Sequence, residues 1–295
     1  MEYLVTAYTD KGTRRSTNQD SLCVRRARDR GGGEILLAVV SDGMGGLSCG
    51  EVASAACVRR FAAWFDANLP LLPDLCGNRF ALVRAQWGEM IASLHEELRD
   101  RAEESGSQMG ATVTAIFACG GRYLTVNVGD SRIYERRQSL RQLTRDQSLV
   151  AREIERGRIT EGQARRHPQR NILLQCLGVG EPPEPAFTEA AVEGGALYLL
   201  CSDGFCHEIP PEEMEELLFP ERLPDKEAMT RRLTEMTELC KARGENDNIT
   251  AVLFAARETA VKKEPLLRRL FGKQDEEEGV TLLETALIVH TEDFI

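Results

Sequence analysis

No stretch of this chain approaches the ~18 uninterrupted apolar residues of a membrane span. Its start, Met1-Glu2-Tyr3-Leu4, has no basic-then-apolar leader. A spanning helix and a secretory leader are therefore not expected, and the reading is a cytoplasmic protein without membrane contact. Positive charge is also in deficit. Lys and Arg total 37 against 47 Asp and Glu, a net charge of −10. Nucleic acid and anionic lipid need clustered positive charge, so neither is expected as a general partner. There is no C-x-x-C among the nine cysteines, and no His stands at ligand spacing to them, which excludes structural zinc. Most cysteines sit in apolar runs, as in Ala118-Cys119 and Leu200-Cys201, and read as small buried thiols in a reducing compartment. No internal repeat is found.

The chain has 295 residues, 42% apolar and 28% charged. That is globular, with one large domain or two small ones, and a core that needs no staples. The acidic surplus leaves carboxylates for metal ligation.

Short β-rich runs fall at 4–8, 21–25, 35–40, 112–118, 123–128, 132–135, 196–201 and 250–254, bounded by Gly, Asp and Asn. Gly120-Gly121 predicts a hairpin. Phe80, Val83, Trp87, Met90, Ile91, Leu94 and Leu98 recur at steps of three and four and predict a helix over about 79–104. A second helix is expected over 51–68. A third starts at the N-cap Asp225, turns Met229, Leu233, Met236, Leu239 and Cys240 inward, and stops at Gly244. Strands in antiparallel runs with long helices between them predict an α+β protein, with helices outside one or two antiparallel sheets. The stretch 145–170 is Arg-rich and without strand signal, an inserted flap. The tail from about 257 carries charge runs (262–263, 268–269, 275–278) and then an apolar stretch, 282–289, readable as helix or strand.

Aspartates fall at strand ends. Asp42 follows Val39-Val40-Ser41, Asp130 follows Val126-Asn127-Val128-Gly129, and Asp203 follows Leu199-Leu200-Cys201-Ser202. Asp247 precedes the strand at 250, and Asp20 the strand at 21. Each alone reads as a turn residue, since Asp-Gly and Asn-Asp are ordinary turn dipeptides. Together they are costly beside buried strands unless compensated. If the strands are neighbours, the carboxylates converge, and a cation relieves their repulsion. Hard oxygen donors without nearby His or Cys favour Mg²⁺ or Mn²⁺. Two such cations activate water and clamp an in-line phosphoryl displacement. Arg15, five residues before Asp20, is the candidate fork for a phosphate, or else a solvated arginine.

Gly12-x-x-Arg15-x-x-Asn18-Gln19-Asp20, Ser41-Asp42-Gly43-Met44-Gly45-Gly46, Gly110-Ala111-Thr112, Gly129-Asp130-Ser131-Arg132, Cys201-Ser202-Asp203-Gly204 and Asn246-Asp247-Asn248-Ile249-Thr250 occur in this order. The set resembles the PPM-type (type 2C) metal-dependent serine/threonine protein phosphatases in their compact bacterial form, over about residues 3–256. The resemblance implies two antiparallel sheets sandwiched between helix pairs, in four layers. It implies a phosphatase domain over 1–256, an inserted flap at about 145–176, and a separate tail over 257–295. It implies two Mn²⁺ or Mg²⁺ ions per active site. Asp42 bridges them, the Gly43 carbonyl sits on one, Asp203 and Asp247 complete the other, and Asp20 acts through water. Asp130 with Asp203 looks like the pair for a weaker third ion, and Arg15 looks like the phosphate-binding group. The implied activity is hydrolysis of phosphoserine and phosphothreonine in proteins, opposing a companion serine/threonine kinase in signalling, by a monomer.

Two departures stand out. Many relatives have Glu at Gln19, and some have His, a proposed general acid, at Met44. A neutral amide should bind metal more weakly, and Met cannot donate a proton. No C-x5-R loop surrounds Cys49, Cys201 or Cys206, which counts against a cysteine nucleophile. His167 reads as a flap-surface residue before Pro168, His95 and His207 as structural, His290 as tail, and Trp64 and Trp87 as core. The flap arginines Arg152, Arg156, Arg158, Arg165, Arg166 and Arg170 read two ways: attracting acidic phosphoproteins, or forming a solvated face paired with Glu153, Glu155 and Glu161. The apolar tail packs on its own domain or binds a partner helix.

Overall fold

A computed structural model describes residues 1–29, 31–44, 49–76, 80–258, 280–283 and 285–290. The first elements are β1 (Glu2–Asp10), β2 (Ser21–Arg28), β3 (Glu34–Ser41), α1 (Gly50–Asn68), α2 (Leu72–Leu75) and α3 (Phe80–Ser105). Next come β4 (Val113–Cys119), β5 (Arg122–Val128), β6 (Arg132–Arg136), β7 (Leu140–Gln142), α4 (Leu149–Glu155) and α5 (Glu161–Ala164). The chain continues through β8 (Ala186–Ala191), β9 (Leu197–Cys201), α6 (Asp203–Cys206), α7 (Pro211–Leu217), α8 (Lys226–Ala242) and β10 (Ile249–Arg257). It closes with β11 (Thr281–Leu282) and β12 (Ala286–Ile288).

The strands form two antiparallel sheets. One has five strands in the order β1-β10-β9-β6-β7, and the other seven, β11-β2-β3-β4-β5-β8 with β12 also on β2. Side chains alternate faces along a strand. In β3, Leu36, Ala38 and Val40 enter a core shared with Tyr3, Tyr198, Leu200 and Phe254 of the other sheet. Ile35, Leu37 and Val39 face the opposite way, against Phe61 and Phe65 of α1 and Trp87 and Ile91 of α3. A third apolar layer packs Leu197, Leu199 and Leu253 on Met229, Leu233 and Met236 of α8. Both faces of each sheet's middle are thus covered, which is why β3 and β9 read as unbroken apolar runs.

Local signals behave as expected. Asp225 Oδ1 accepts the Ala228 N–H at 2.8 Å, the N-cap of α8. Gly120 and Gly121 turn β4 into β5 with φ of 57° and 73°. Two strands lack a usable signal. β7 spans three residues, and β8 (Ala-Phe-Thr-Glu-Ala-Ala) is a largely exposed edge without apolar alternation. The apolar tail forms β11 and β12 on the outer edge of β2, with Ile288 opposite Leu22. Ala286 and Ile288 reach the inter-sheet core, while Val280 and Val289 pack on the helix side. The tail is therefore strand, packed on its own domain. Its charge runs, and Gly45 and Gly46, lie outside the described residues.

The cysteine reading needs a correction. Cys76, after α2, and Cys119, at the end of β4, form a disulfide with Cα atoms 5.4 Å apart. Sequence context showed two small buried residues, and only the packing of the α2 end on β4 brings them together. The other seven are free. Among the described residues no helix is long and apolar enough to cross a membrane.

Candidate active site

Strand register carries the five aspartates to one end of the sandwich. The β2–β3 ladder ends at Ser21 opposite Ser41, so the next rung sets Asp20 against Asp42. The β6–β9 ladder pairs Arg132 with Cys201, and two rungs further Asp130 faces Asp203. The β1–β10 ladder ends at Asp10 opposite Ile249, and its extension sets Gly12 against Asp247. One sheet thus contributes Asp20 and Asp42, the other Asp130, Asp203 and Asp247. Ser202 joins them, its Oγ donating to Asp20 Oδ2 at 2.9 Å across 182 residues of sequence.

Small polar neighbours fix each loop. Thr112 N–H donates to the Asp42 carbonyl at 2.9 Å, and Thr112 Oγ1 accepts the Asp42 N–H at 3.0 Å. Asn248 Oδ1 accepts the Gln19 N–H, while its Nδ2 donates to the carbonyls of Lys11 and Thr17. Asn248 therefore staples the 11–19 loop, which bears Arg15, to the start of β10. Glu245 Oε1 accepts the N–H groups of Asn246 and Asp247 and shapes the turn before β10. A Cβ on Gly43 would strike the backbone of Gln19 and Gly50, so only glycine lets these three segments meet. Gly12, with φ of 74°, lies against the Asp247 carbonyl in the same way.

The electrostatics are strained by burial. Asp20 is 1% exposed. Desolvation pushes its carboxyl up to about 7, Asp203 and Asp247 add repulsion, and hydrogen bonds from Thr250 and Ser202 partly offset it. Desolvation also raises Asp42, with Asp20, Asp203, Asp247 and Asp130 adding to it. Asp130 rises for the same reason, with repulsion from Asp203 and Asp146 adding to it. Oδ1 of Asp20 and Oδ1 of Asp203 are buried without a hydrogen-bond partner. Orphaned carboxylate oxygens from both sheets, in an all-oxygen donor set, fit hard divalent cations. Among the described residues no three acidic, His or Cys side chains already enclose an ion position. They are drawn elsewhere: Asp247 takes the Arg15 fork at 2.9 and 2.7 Å, and Asp20 takes Ser202.

The protein phosphatase 2C sequence profile matches residues 11–254. The chain belongs to the protein phosphatase 2C family. It is 36% identical over 248 residues to the serine/threonine protein phosphatase PstP of Mycobacterium tuberculosis, covering 84% of this chain and 44% of that protein. This chain thus spans under half of that relative's length. It is 33% identical over 253 residues to the serine/threonine phosphatase stp of Listeria monocytogenes, covering 83% and 92%. A solved structure of the PstP catalytic domain in complex with two manganese ions superposes with a TM-score of 0.69 at 29% identity, covering 87% of this chain and 99% of that one.

Within this 2C-family fold, Arg15, Asp20, Asp42, Gly43, Asp130, Asp203 and Asp247 all lie at the one end of the sandwich. Gln19 turns its amide to Glu51 of α1, donating at 2.8 Å. His207, read as structural, has Nδ1 3.8 Å from Asp203 Oδ2. His95 is structural: buried on α3, its Nδ1 accepts the Gly178 N–H at 3.1 Å. Reading the sequence assigned no role to Ser202, Thr112, Asn248 or Glu245. The first three stand in the quoted motifs and Glu245 directly precedes one, so adjacency to an aspartate was the available signal.

Proposed function

We propose that this chain hydrolyses phosphoserine and phosphothreonine in proteins as a metal-dependent phosphatase, with residues 1–256 as the catalytic domain and 257–295 as an appended tail. The observation that carries it is the convergence of two carboxylate pairs from two sheets, Asp20 with Asp42 and Asp130 with Asp203, with a buried, orphaned oxygen on Asp20 and another on Asp203. Asp42, the Gly43 carbonyl, Asp203 and Asp247 are the residues to hold two Mn²⁺ or Mg²⁺ ions, with Asp20 acting through water and Asp130 with Asp203 offering a weaker third position. Such cations supply activation of water and neutralisation of phosphoryl charge.

The chain's own groups do the rest. Arg15 binds two phosphate oxygens at once with the fork that Asp247 occupies here, and Asp247 is thereby released. Asn248 and Ser202 hold the loops that present Arg15 and Asp20. Met44 has no acidic proton to donate, so the leaving alkoxide takes its proton from a water or from another group. A phosphoprotein substrate implies a companion serine/threonine kinase that makes the ester. A monomer acting in the cytoplasm is the simplest setting.

The test is hydrolysis of an aryl phosphate and a phosphothreonine peptide with Mn²⁺, Mg²⁺ or EDTA, beside Asp203→Asn. Metal-dependent turnover is expected, with Asp203→Asn losing more than the ~10–100-fold that removal of an outer-sphere partner costs. Metal binding without turnover would favour a phosphoprotein-binding module instead.

A further inference from the structure

Between β7 and β8 the inserted flap closes over a cavity of about 310 Å³ whose wall includes Asp130 and His207. That volume is some ten times one water's share of the liquid, about 30 Å³, so it admits a side chain. Five of the six flap arginines fall into two sets. Arg152, Arg156 and Arg158 all answer Glu153, at 4.0, 3.5 and 2.9 Å, and form a solvated face. Arg165 and Arg170 line the cavity and meet no carboxylate among the described residues. Both are half-buried, and Arg170 Nη1 donates to the Arg165 main-chain carbonyl at 3.0 Å, which ties the Arg170 guanidinium to the segment that bears Arg165.

The acids of the lining are mostly committed. Asp146 accepts the Arg132 fork at 3.0 and 2.7 Å, and Glu155 pairs with Arg145. Glu161 is exposed, where solvent weakens its hold on any cation. Asp130 faces Asp203, so this cavity adjoins the carboxylate cluster. Two guanidinium groups with no ion pair among the described residues, at the border of a phosphate site, are placed for an anion that arrives with the phosphoester.

We propose that this cavity is a subsite for a carboxylate side chain of the substrate, an Asp or Glu within a few residues of the phosphorylated position, held by Arg165 and Arg170. The inference rests on the phosphatase reading for its substrate, and the experiment separates the two.

Phosphothreonine peptides flanked by aspartate, serine or lysine are bound to the full chain with Mn²⁺, by fluorescence anisotropy, with phosphate release measured alongside. The aspartate-flanked peptide is expected to bind about tenfold tighter than the serine-flanked one. The advantage is expected to shrink in about 0.5 M salt. The double variant Arg165→Glu/Arg170→Glu is expected to reverse the order and favour the lysine-flanked peptide, an outcome that misfolding cannot imitate. Should that variant bind nothing, Arg165→Gln/Arg170→Gln decides, since it keeps size and polarity and is expected to bind all three peptides alike. Equal binding by the wild type, or an aspartate preference surviving in the Gln variant, overturns the subsite. An aspartate preference without phosphate release keeps the subsite and overturns the hydrolytic reading.

Discussion

Asp20 shows how one buried carboxyl couples this site to pH. Burial, with repulsion from Asp203 and Asp247, holds it protonated up to about pH 7 in the chain without cations. In the unfolded chain it releases that proton near pH 4. Between those values the folded state binds the extra proton, so stability falls as pH rises through the window. A cation at the carboxylates removes that penalty. Mn²⁺ should therefore raise the melting temperature more at about pH 8 than at about pH 5, checked by thermal melts with Mn²⁺ and with EDTA. An increment independent of pH would contradict carboxylate ligation. Asn248 permits a second test. Asn248→Ala removes the side chain that ties Gln19, Lys11 and Thr17 together. Calorimetric Mn²⁺ affinity is expected to fall about 10–100-fold, as for other outer-sphere residues. The aspartates were legible in sequence because each sits beside Gly or Asn at the end of an apolar run. The staples were not, because Ser, Thr and Asn flank turns everywhere and their partners lie in distant loops.

At the scale of elements, α3 does more than cover a sheet. Its His95 accepts the Gly178 N–H and so anchors the segment that leaves the flap. Desolvation holds this imidazole below its usual pKa, against the pull of Glu96. A depressed histidine stabilises the fold while neutral, and that stability is lost as pH falls below about 6.5, where the unfolded chain takes up the proton. His95→Leu should cost about 1–3 kcal/mol at neutral pH by stranding the Gly178 amide. It should also flatten the loss of stability between about pH 7 and 5.5, read from urea titrations at each pH. The helix itself was plain from its apolar spacing. Its grip on Gly178 was invisible, because the two are 83 residues apart.

For the whole molecule, the tail is the element whose removal is most informative. β11 and β12 cover the edge of β2, and an open strand edge invites pairing with other chains. Ending the chain at Arg257 should lower the melting temperature by about 5 °C, from the lost apolar burial, and promote self-association in light scattering. An unchanged melting temperature would mean that the tail packs without stabilising. The sequence alone determined the central strands, the long helices, the Asp225 cap and the aspartates at strand ends, because hydrophobic period, capping and turn chemistry act between residues close along the chain. Sheet order, ladder register, the Cys76–Cys119 pair and the tail's place on β2 were decided only in the tertiary structure. So was the meeting of Arg15 with Asp247, 232 residues apart. Which strand end lies beside which depends on how two sheets stack over a shared core, and that is set by all the distant contacts together.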